Sequence, residues 1–338
     1  EKIWYPKHLS LEQCSSEITA RYKARLLQGD SLTDLTGGFG IDCSFLATGF
    51  KSATYVERQE ELCEIAAHNF PVLNLNHINI KNEDGVTYLQ AMSPVDCLFL
   101  DPARRNEHGG KTVAISDCEP NVAELEELLL QKANRVMIKL SPMLDLSLAL
   151  KELKQTQEVH ILSVNNECKE LLILLGQTSP AEISIHCVNL FTKGTQKEQH
   201  FVFTREQEQC SECTYTDSLE TYLYEPNASL LKAGAFRSIA AAYPVRKLHP
   251  NSHLYTSDTF IENFPGRIFR IVNQCSFNKK EVKENLADLK KANVTVRNFP
   301  ATVAELRKRI HLAEGGDTYL FASTLNNGQK VLIRCEKV

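Results

Sequence analysis

A glycine-rich stretch between two aspartates is the first chemical signal in this sequence. It reads DLTGGFGID over residues 34–42, so Asp34 precedes Gly38 and Gly40. The loop lacks the Gly-Lys-Ser/Thr of a nucleoside triphosphate site, and Cys43 occupies the third glycine position of a dinucleotide fingerprint. A carboxylate would repel a pyrophosphate but attract a cationic amine. We therefore expect this loop to bind S-adenosylmethionine, which carries an ammonium and a sulfonium group.

Two more carboxylates follow predicted strands and extend this signal. Glu57 ends the strand SATYVE, and Asp84 ends the strand INIKNED. At the carboxyl ends of parallel strands, Glu57 can accept hydrogen bonds from both ribose hydroxyls and Asp84 can accept one from an adenine amino group. Acidic residues at strand ends also cap the helices that follow them, and this alternative stays open for each. Three such carboxylates after a glycine loop favour the cofactor interpretation.

The motif LFLDPARR, residues 98–105, indicates the acceptor side of a transfer reaction. Asp101 and Pro102 end a predicted fourth strand, where a carboxylate and a rigid backbone carbonyl can accept hydrogen bonds from an exocyclic amine. Such bonds would aim the nitrogen lone pair at a methyl donor, and alignment supplies much of the rate of an in-line transfer. A proline that merely ends the strand is the alternative.

Methylation of a carbon atom would require a cysteine nucleophile. The stretch after the fifth predicted strand, KLSPMLD, places Ser141 and Pro142 there and contains no thiol. Cys118 and Cys168 lie elsewhere in the sequence, and we interpret them as bystanders. The sequence therefore predicts transfer to nitrogen.

Short apolar runs alternate with helical patterns from Ser31 to Val164, which predicts βαβ units and a mostly parallel sheet. The segment CKELLILLG follows without room for a helix, and EISIHCVNLF and EQHFVFTRE resemble hairpin strands. An antiparallel hairpin is therefore expected at the end of the sheet. Ahead of the sheet, SLEQCSSEITARYKARLL predicts a helix capped by Ser10, with Gln13 in the capping-box position.

A second region is predicted beyond about Cys213. The segment YLYEPNASLLKAGAFRSIAAAY predicts a helix with Asn227 as its cap, and the chain after residue 265 predicts the order β-α-β-α-β-β. From Tyr222 to Val338, 18 Lys and Arg stand against 10 Asp and Glu, a net charge of +8, whereas the rest of the chain carries −12. This distribution is compatible with an anionic partner, although solvated helix faces explain the same surplus.

The composition limits the class of protein. The 338 residues include 11 scattered cysteines, an odd number that favours reduced thiols in the cytoplasm over a disulfide framework. We expect no membrane association, because no apolar run reaches ~18 residues and no secretory signal opens the sequence. We also expect no metal, because Cys210, Cys213 and His200 lack a second pair of ligands. Since the sequence begins with Glu1 rather than Met, we expect a fragment or additional residues ahead of it.

Several segments together resemble a bacterial family of class I S-adenosylmethionine-dependent methyltransferases with a C-terminal THUMP-like domain. They are DLTGGFGID, LDPARR, VNNECKELL and NVTVRNFPATVAELRKRIHLAEGGDTYLFAS. The resemblance covers nearly the whole chain. It implies an α/β fold with a Rossmann-like seven-stranded sheet, an antiparallel hairpin end and a small C-terminal α+β region of ferredoxin or THUMP type. The implied domains are a helical lead-in (1–30), a methyltransferase domain (31–215), a linker or ferredoxin-like module (219–265) and a THUMP-like domain (266–338).

The family motifs map directly onto this sequence. The glycine loop falls on the first motif, Glu57 on the ribose acid, Asp84 on the adenine acid and Asp101-Pro102 on the substrate motif. A helix motif that approaches the methionine end of the cofactor falls on residues 13–16. The resemblance thus implies these cofactor contacts, neighbouring motif positions included: Gln13, Ser15, Ser16, Asp34, Thr36, Gly38, Gly40, Glu57, Arg58, Asp84 and Gly85.

The acceptor motif departs from the better-known amino-group pattern, in which an aromatic residue stacks on the base. Here Ala103 and Arg104 take that place, which leaves adenine and guanine as open alternatives. Arg104 could stack through its guanidinium plane or hold a phosphate, so we group it with Asp101 and Pro102 as catalytic. By analogy with THUMP-containing enzymes, we expect RNA (tRNA or rRNA) to contact Arg105, Lys111, Arg297, Arg307, Lys308 and Arg309.

Two alternatives to RNA base methylation remain. The chain could methylate a small molecule or a protein, or it could bind RNA without catalysis while retaining the methyltransferase fold. The pairing of Asp101-Pro102 with an intact glycine loop disfavours the non-catalytic alternative. A steep salt dependence of binding would distinguish RNA from the other substrates.

Overall fold

The computed structural model describes residues 3–6, 14–104, 114–178 and 180–338, without the side chain of Arg104. The chain divides into two compact units, Glu1–Glu198 and Gln199–Val338, which are treated separately below. Among the described helices, none combines the length and the apolar character that crossing a membrane requires.

The first unit alternates strands with helices, as the sequence predicts. In chain order its elements are α1 (Glu17–Ala24), β1 (Ser31–Asp34), α2 (Ile41–Leu46), β2 (Ser52–Glu57), α3 (Glu60–Val72), β3 (Ile78–Asn82), α4 (Gly85–Ala91), β4 (Val95–Leu100), β5 (Ala103–Arg104), β6 (Cys118–Glu119), α5 (Val122–Lys132), β7 (Ala133–Leu140), α6 (Leu146–Glu152), β8 (Thr156–Val164), β9 (Glu167–Gly176) and β10 (Ser184–Leu190). The next strand, β11 (Glu198–Thr204), begins at the boundary between the units.

Over the described residues the large sheet has nine strands, in the order β11-β10-β8-β9-β7-β4-β1-β2-β3. The strands β3, β2, β1, β4 and β7 are parallel, and β9 is antiparallel to both of its neighbours. The seven strands from β3 to β8 form the expected methyltransferase sheet, so the predicted fold class is confirmed. The antiparallel hairpin, however, is β8–β9, whereas EISIHCVNLF and EQHFVFTRE supply β10 and β11, which extend the sheet.

The hairpin is possible because a tight turn links its strands. Asn165 and Asn166 both have positive φ, 49° and 68°, and asparagine tolerates this left-handed conformation better than most residues. The strand β9 is fully buried from Leu171 to Leu175, as is β7 from Val136 to Ile138. Their continuous apolar runs reflect burial on both faces of the sheet.

The first helix begins later than predicted. It starts at Glu17, directly after Ser16, whereas the sequence placed its cap at Ser10. Ser10 and Gln13 lie outside the described residues, so the predicted capping box stays a prediction.

The second unit is a mixed sheet with short helices. After α7 (Arg205–Cys210) its elements are β12 (Tyr222–Pro226), α8 (Ala228–Ala233), α9 (Phe236–Ala242), β13 (Arg246–Lys247), β14 (Tyr255–Ser257), β15 (Gly266–Ser276), α10 (Lys279–Leu286), β16 (Lys291–Val296), α11 (Val303–Ile310), β17 (Ala313–Thr324) and β18 (Lys330–Lys337). The seven strands are arranged in the order β13-β14-β12-β15-β18-β17-β16.

The predicted order β-α-β-α-β-β after residue 265 is confirmed, but two helices were predicted too long. Tyr222–Pro226 is a strand, and the helix begins only after Asn227, whose side chain accepts a hydrogen bond from the Leu230 N–H (3.1 Å), as predicted for a cap. Gly234, with φ of 78°, then ends this helix in the left-handed conformation. The charged helix after Asn278 ends at Leu286 because the chain soon enters β16.

Candidate functional site

Three strands deliver candidate residues to one edge of the first sheet. The strand β1 ends at Asp34, β2 ends at Glu57, and β4 is followed directly by Asp101. These strands are parallel neighbours, so their carboxyl ends meet where open α/β sheets bind ligands.

Asp34 has one satisfied and one unsatisfied carboxylate oxygen. Its Oδ1 accepts a hydrogen bond from the Thr36 N–H at 2.9 Å. Its Oδ2 is buried without a hydrogen-bond partner among the described residues, and the residue is only 1% exposed. Burial raises the pKa of Asp34 to about 8, and the Thr36 hydrogen bond only partly opposes this rise. A buried acceptor in this condition is suited to a positively charged donor.

The glycine loop lies close to strand β2. A Cβ on Gly37 would be 2.2 Å from the Tyr55 ring, so only glycine fits there. Gly38 and Gly40 have φ values of 55° and 82°, a region that favours glycine. Glu57 Oε2 accepts a hydrogen bond from the Gly38 N–H at 2.9 Å and thereby fixes the loop.

Glu57 therefore has a structural role in the described contacts. Its second oxygen, Oε1, accepts a hydrogen bond from the Gln59 N–H at 2.9 Å. Each carboxylate oxygen can accept a further hydrogen bond, so the predicted contact with ribose hydroxyls stays a prediction.

Thr36 connects the glycine loop to the acceptor motif. Its hydroxyl accepts a hydrogen bond from the Asp101 N–H at 2.6 Å, while its own N–H holds Asp34. Pro102 is buried directly after Asp101. The structure thus brings together Asp34, Thr36 and Asp101, which the sequence assigned to cofactor and acceptor.

Asp101 belongs to a buried ionic cluster that the sequence did not reveal. The cluster consists of Ser15, Lys23, Asp42, Asp101, Lys139 and Glu170. Lys139 Nζ lies 2.5 Å from Asp101 Oδ2 and 3.3 Å from Asp42 Oδ2. Lys23 Nζ lies 2.8 Å from Asp42 Oδ1 and 2.7 Å from Glu170 Oε2. A lysine within the apolar run RVMIKL was the one signal that could have indicated this cluster.

The charges in the cluster determine its protonation. Burial alone would raise the pKa of Asp42, but Lys23 and Lys139 outweigh it and hold that pKa below its usual value. Burial also raises the pKa of Asp101, and Lys139 opposes this rise. The pKa of Lys139 is itself raised, because Asp101, Asp42 and Glu170 outweigh the effect of burial, so its amine stays protonated.

Two predicted cofactor residues have other roles in the described contacts. Asp84 caps α4, with Oδ1 accepting hydrogen bonds from the Val86 and Thr87 N–H groups at 3.0 Å each. Gly85 follows it where a Cβ would be 2.1 Å from the Leu35 carbonyl oxygen. Asp84 thus shows the capping role that the sequence left open, and its adenine contact stays a prediction.

Arg58 and Ser16 are surface residues whose side chains contact other side chains of the protein. Arg58 pairs with Glu119 at 3.4 Å, with both side chains more than half exposed. The Ser16 hydroxyl lies 3.2 Å from that of Thr19, at the start of α1.

Several predicted residues of the acceptor side lie outside the described residues. They are Gln13, Arg105, Lys111 and the side chain of Arg104. The backbone of Arg104 pairs with Cys118 across the β5–β6 ladder. Cys118 is therefore nearer to the acceptor motif than the sequence suggested, although its side chain is buried.

The predicted RNA-contacting residues of the second unit differ in whether their charged groups already have partners within the protein. Arg297 pairs with the buried Glu225 at 3.1 Å, and Arg307 donates a hydrogen bond to the Ala292 carbonyl at 3.1 Å. Lys308 and Arg309 are exposed, with Arg309 lying 4.2 Å above the centre of the Phe277 ring. Of these four residues, the last two present their charges mainly to solvent.

One group of potential metal ligands occurs among the described residues. Glu158, His160 and His186 place ligand atoms within 4.8 Å of one another. Both nitrogens of His160 are already engaged, with the Tyr22 hydroxyl at 2.8 Å and with Glu158 at 3.2 Å. The two imidazole rings are stacked with centroids 4.3 Å apart, so their in-plane lone pairs run parallel instead of converging on an ion.

Comparisons with known proteins agree with this architecture. Residues 222–265 match a family model for a ferredoxin-like domain, and residues 266–337 match one described as THUMP domain-like. A solved structure from Porphyromonas gingivalis W83, described as a presumptive methyltransferase, is 37% identical. The match covers 99% of this chain and 84% of that one, with a TM-score of 0.90. No curated protein matches the sequence.

Two further solved structures match part of the chain. A presumptive methyltransferase of Streptococcus mutans in complex with S-adenosylhomocysteine is 12% identical, with 47% of this chain and 96% of that one covered and a TM-score of 0.34. An rRNA methylase of Streptococcus thermophilus is 14% identical, with 47% and 93% covered and a TM-score of 0.33. TM-scores below 0.5 do not establish a shared fold.

Proposed function

This chain belongs to the bacterial family of class I methyltransferase-fold proteins with a C-terminal THUMP-like domain, and from that membership we propose that it methylates a nitrogen of a base in RNA. The observation that carries the proposal is the Oδ2 of Asp34, which has no hydrogen-bond partner in the part of the chain that the structure describes and lies beside Asp101 at the carboxyl edge of the sheet. One residue offers an acceptor for a cationic cofactor, and the other offers an acceptor for an amine.

The residues present suit S-adenosylmethionine, which when bound supplies an electrophilic methyl group. Asp34 Oδ2 would accept from its ammonium group, and the unused lone pairs of Glu57 would accept from its ribose hydroxyls. Among the described residues, the ionic cluster holds three carboxylates against two lysines, and Asp34 adds a further negative charge nearby once it ionises. This negative balance favours a cationic ligand over a phosphate.

Asp101 would orient the acceptor. Its Oδ2 is held by Lys139, while its side chain remains 35% exposed. Its other oxygen would accept a hydrogen bond from the acceptor amine and fix the direction of the nitrogen lone pair. An exocyclic base amine is neutral, so no buried base has to remove a proton before attack, and the nitrogen would release its proton to water after it is methylated.

RNA is supported by the basic second unit. Its surplus of positive charge and the exposed Lys308 and Arg309 suit phosphate contacts, which position a nucleic acid without reading its sequence. We propose a cytoplasmic location, in keeping with the odd number of scattered cysteines. The target could be tRNA or rRNA.

The proposal is tested by comparing Asp101→Ala with the wild type. Titration calorimetry should show one S-adenosylhomocysteine bound per chain, with affinities for the two proteins equal within about twofold. Mass spectrometry of RNA nucleosides from a deletion strain should reveal a missing methylated base, which wild type restores and Asp101→Ala does not. We expect a loss of at least about 100-fold in rate, since misalignment alone has this effect.

Asp30→Ala is the matched control, because Asp30 lies ahead of β1 at the opposite edge and its side chain pairs with the exposed Lys51. If methylation persists in Asp101→Ala but is lost in Cys118→Ser, transfer is to carbon and the proposed mechanism is wrong. If the strains differ in a small molecule or a protein and not in RNA, the proposed substrate is wrong.

A further inference from the structure

Lys139 occupies a position that an apolar residue would be expected to take. It is the seventh residue of β7, where Val136, Met137 and Ile138 before it are fully buried. Its ammonium group has three N–H donors and, among the described residues, three partners: Asp101 Oδ2 at 2.5 Å, Ser15 Oγ at 3.1 Å and Asp42 Oδ2 at 3.3 Å. Burying a charge is costly, so a lysine retained here calls for a reason.

Partners other than Asp101 also fix the position of Lys139. Lys23, which has no exposed surface, contacts Asp42 and Glu170 and donates to the Ser15 hydroxyl at 2.7 Å. Asp42 is therefore held between two lysines, and Lys139 is held in turn by Asp42 and Ser15. This leaves Asp101 as the one member of the cluster that also faces outward.

We propose that Lys139 is a positioning residue, which holds Asp101 by Oδ2 and keeps Oδ1 as a hydrogen-bond acceptor for a neutral acceptor amine. The inference rests on the proposed function and adds the class of acceptor. If Oδ1 of Asp101 were protonated, it would donate a hydrogen bond instead of accepting one, so the acceptor amine would no longer be oriented. An aliphatic ammonium has no lone pair for attack until a base removes its proton, whereas a conjugated exocyclic amine is neutral and needs no such base.

The surroundings of Asp101 explain why Lys139 is needed. Burial raises the pKa of Asp101, and Lys139 is the first of the groups that oppose this rise. Among the described residues, the other charged or titratable groups that interact with Asp101 are Lys23 on α1, Asp42 on α2, Asp34 on β1 and the Cys14 thiol. Of these only Lys23 is a cation, so loss of Lys139 leaves Asp101 with one cation against the two acids Asp42 and Asp34.

The test follows the rate of methylation against pH. Tritiated methyl groups from S-adenosylmethionine are transferred to total RNA from the deletion strain by the wild type, Lys139→Met and Lys139→Arg. In Lys139→Met the acidic limb of the pH–rate profile should move to higher pH by about 1–3 units, the usual effect of losing an opposite charge within about 4–6 Å. Lys139→Arg should restore the wild-type limb, and S-adenosylhomocysteine affinity should change by less than about threefold.

Lys51→Met is the control, since Lys51 forms an exposed ion pair with Asp30 at the other edge of the sheet. If Lys139→Met does not fold, the double variant Asp42→Asn/Lys139→Met, which removes one charge of each sign, takes its place. A carbon-13 titration of aspartate carboxyls, with the Asp101 signal assigned through Asp101→Asn, should show the same upward movement without any substrate.

The outcomes separate the two proposals. If the wild type binds S-adenosylhomocysteine but labels no RNA, the proposed substrate fails, and the carboxyl titration still decides whether Lys139 controls Asp101. If the wild type labels RNA and Lys139→Met lowers the rate without moving the profile or the carboxyl titration, Lys139 is merely structural and the inference is overturned. Labelling of polylysine or spermidine by the wild type would overturn the assignment of a neutral acceptor.

Discussion

Each unit of the molecule buries carboxylates, but the two sites balance their charge differently. In the second unit Glu225 is 1% exposed and is matched by Arg267, whose Nε donates to it at 2.8 Å, and by Arg297 at 3.1 Å. In the first unit, three acids of the cluster share two lysines, and Asp34 keeps an oxygen without a partner among the described residues. A carboxylate outnumbered by arginines has its charge met within the fold, whereas a site with excess acid can accept a cation.

A substitution at Asp34 is expected to have the largest effect on the difference between the two sites. Asp34→Asn should weaken S-adenosylhomocysteine binding by about 3 kcal/mol, roughly 100-fold, because a charge-assisted hydrogen bond is removed. Titration calorimetry between pH 6 and 8.5 checks this. Wild-type affinity should rise with pH over that range as Asp34 ionises, and the affinity of the variant should lack this rise. Equal affinities would show that Asp34 does not hold the ligand.

The same substitution should raise stability at high pH. The pKa of Asp34 is about 8 in the folded state against 3.8 ordinarily, so the folded state binds the extra proton between these values. The free energy of unfolding therefore falls as pH rises from about 4 to about 8. Asp34→Asn removes this fall and should be more stable than the wild type at pH 9 by roughly 1–3 kcal/mol, as urea unfolding can measure.

The Glu225 site should respond in the opposite way. Glu225→Gln leaves two guanidinium groups without their carboxylate and should lower the free energy of unfolding by about 2–3 kcal/mol. This is less than for fully buried pairs because the arginines are about one-third exposed. Glu336→Gln, which breaks the exposed pair with Arg270, should cost less than about 1 kcal/mol. A loss of S-adenosylhomocysteine affinity in Glu225→Gln would contradict the comparison.

The smallest effect is expected on the surface of α11. Reversing Lys308 and Arg309 to glutamate should weaken RNA binding and lower the slope of log affinity against log salt by about 0.7 for each phosphate that the protein no longer neutralises. Fluorescence titrations at several salt concentrations measure that slope. The charge-matched control is Lys81→Glu/Lys151→Glu, on exposed positions of the first unit. An unchanged slope in the α11 variant would place the RNA surface elsewhere.

Local motifs made part of this site predictable. Asp34, Gly38 and Asp101 follow strands that the hydrophobic pattern located, and the topology of parallel sheets brings such ends together. Asp84 shows the limit of this reasoning, because the same position suits a helix cap and a ligand contact equally well. Whether a carboxylate caps a helix or contacts a ligand depends on the N–H groups around it, and the sequence does not give the positions of these groups.

The ionic cluster was beyond prediction for a different reason. Lys23 and Glu170 are 147 residues apart in the sequence, and neither lies in a motif that signals an ion pair. Likewise, the apolar segments that became β10 and β11 fit a terminal hairpin as well as an extension of the sheet. Long-range pairing decides both cases, and periodicity carries no information about it.

The insertion of β9 between β7 and β8 also has a consequence for the order in which the site is assembled during synthesis. Lys23 is made early, but its partner Glu170 lies on the strand that must enter the sheet beside β7 after β8 has been made. Asp34, Thr36 and Asp101 can meet before that strand exists. A nascent chain that ends at Asn166 would therefore contain the glycine loop and the acceptor motif. In that chain the buried Lys23 would lack the counter-charge of Glu170, which only strand β9 supplies.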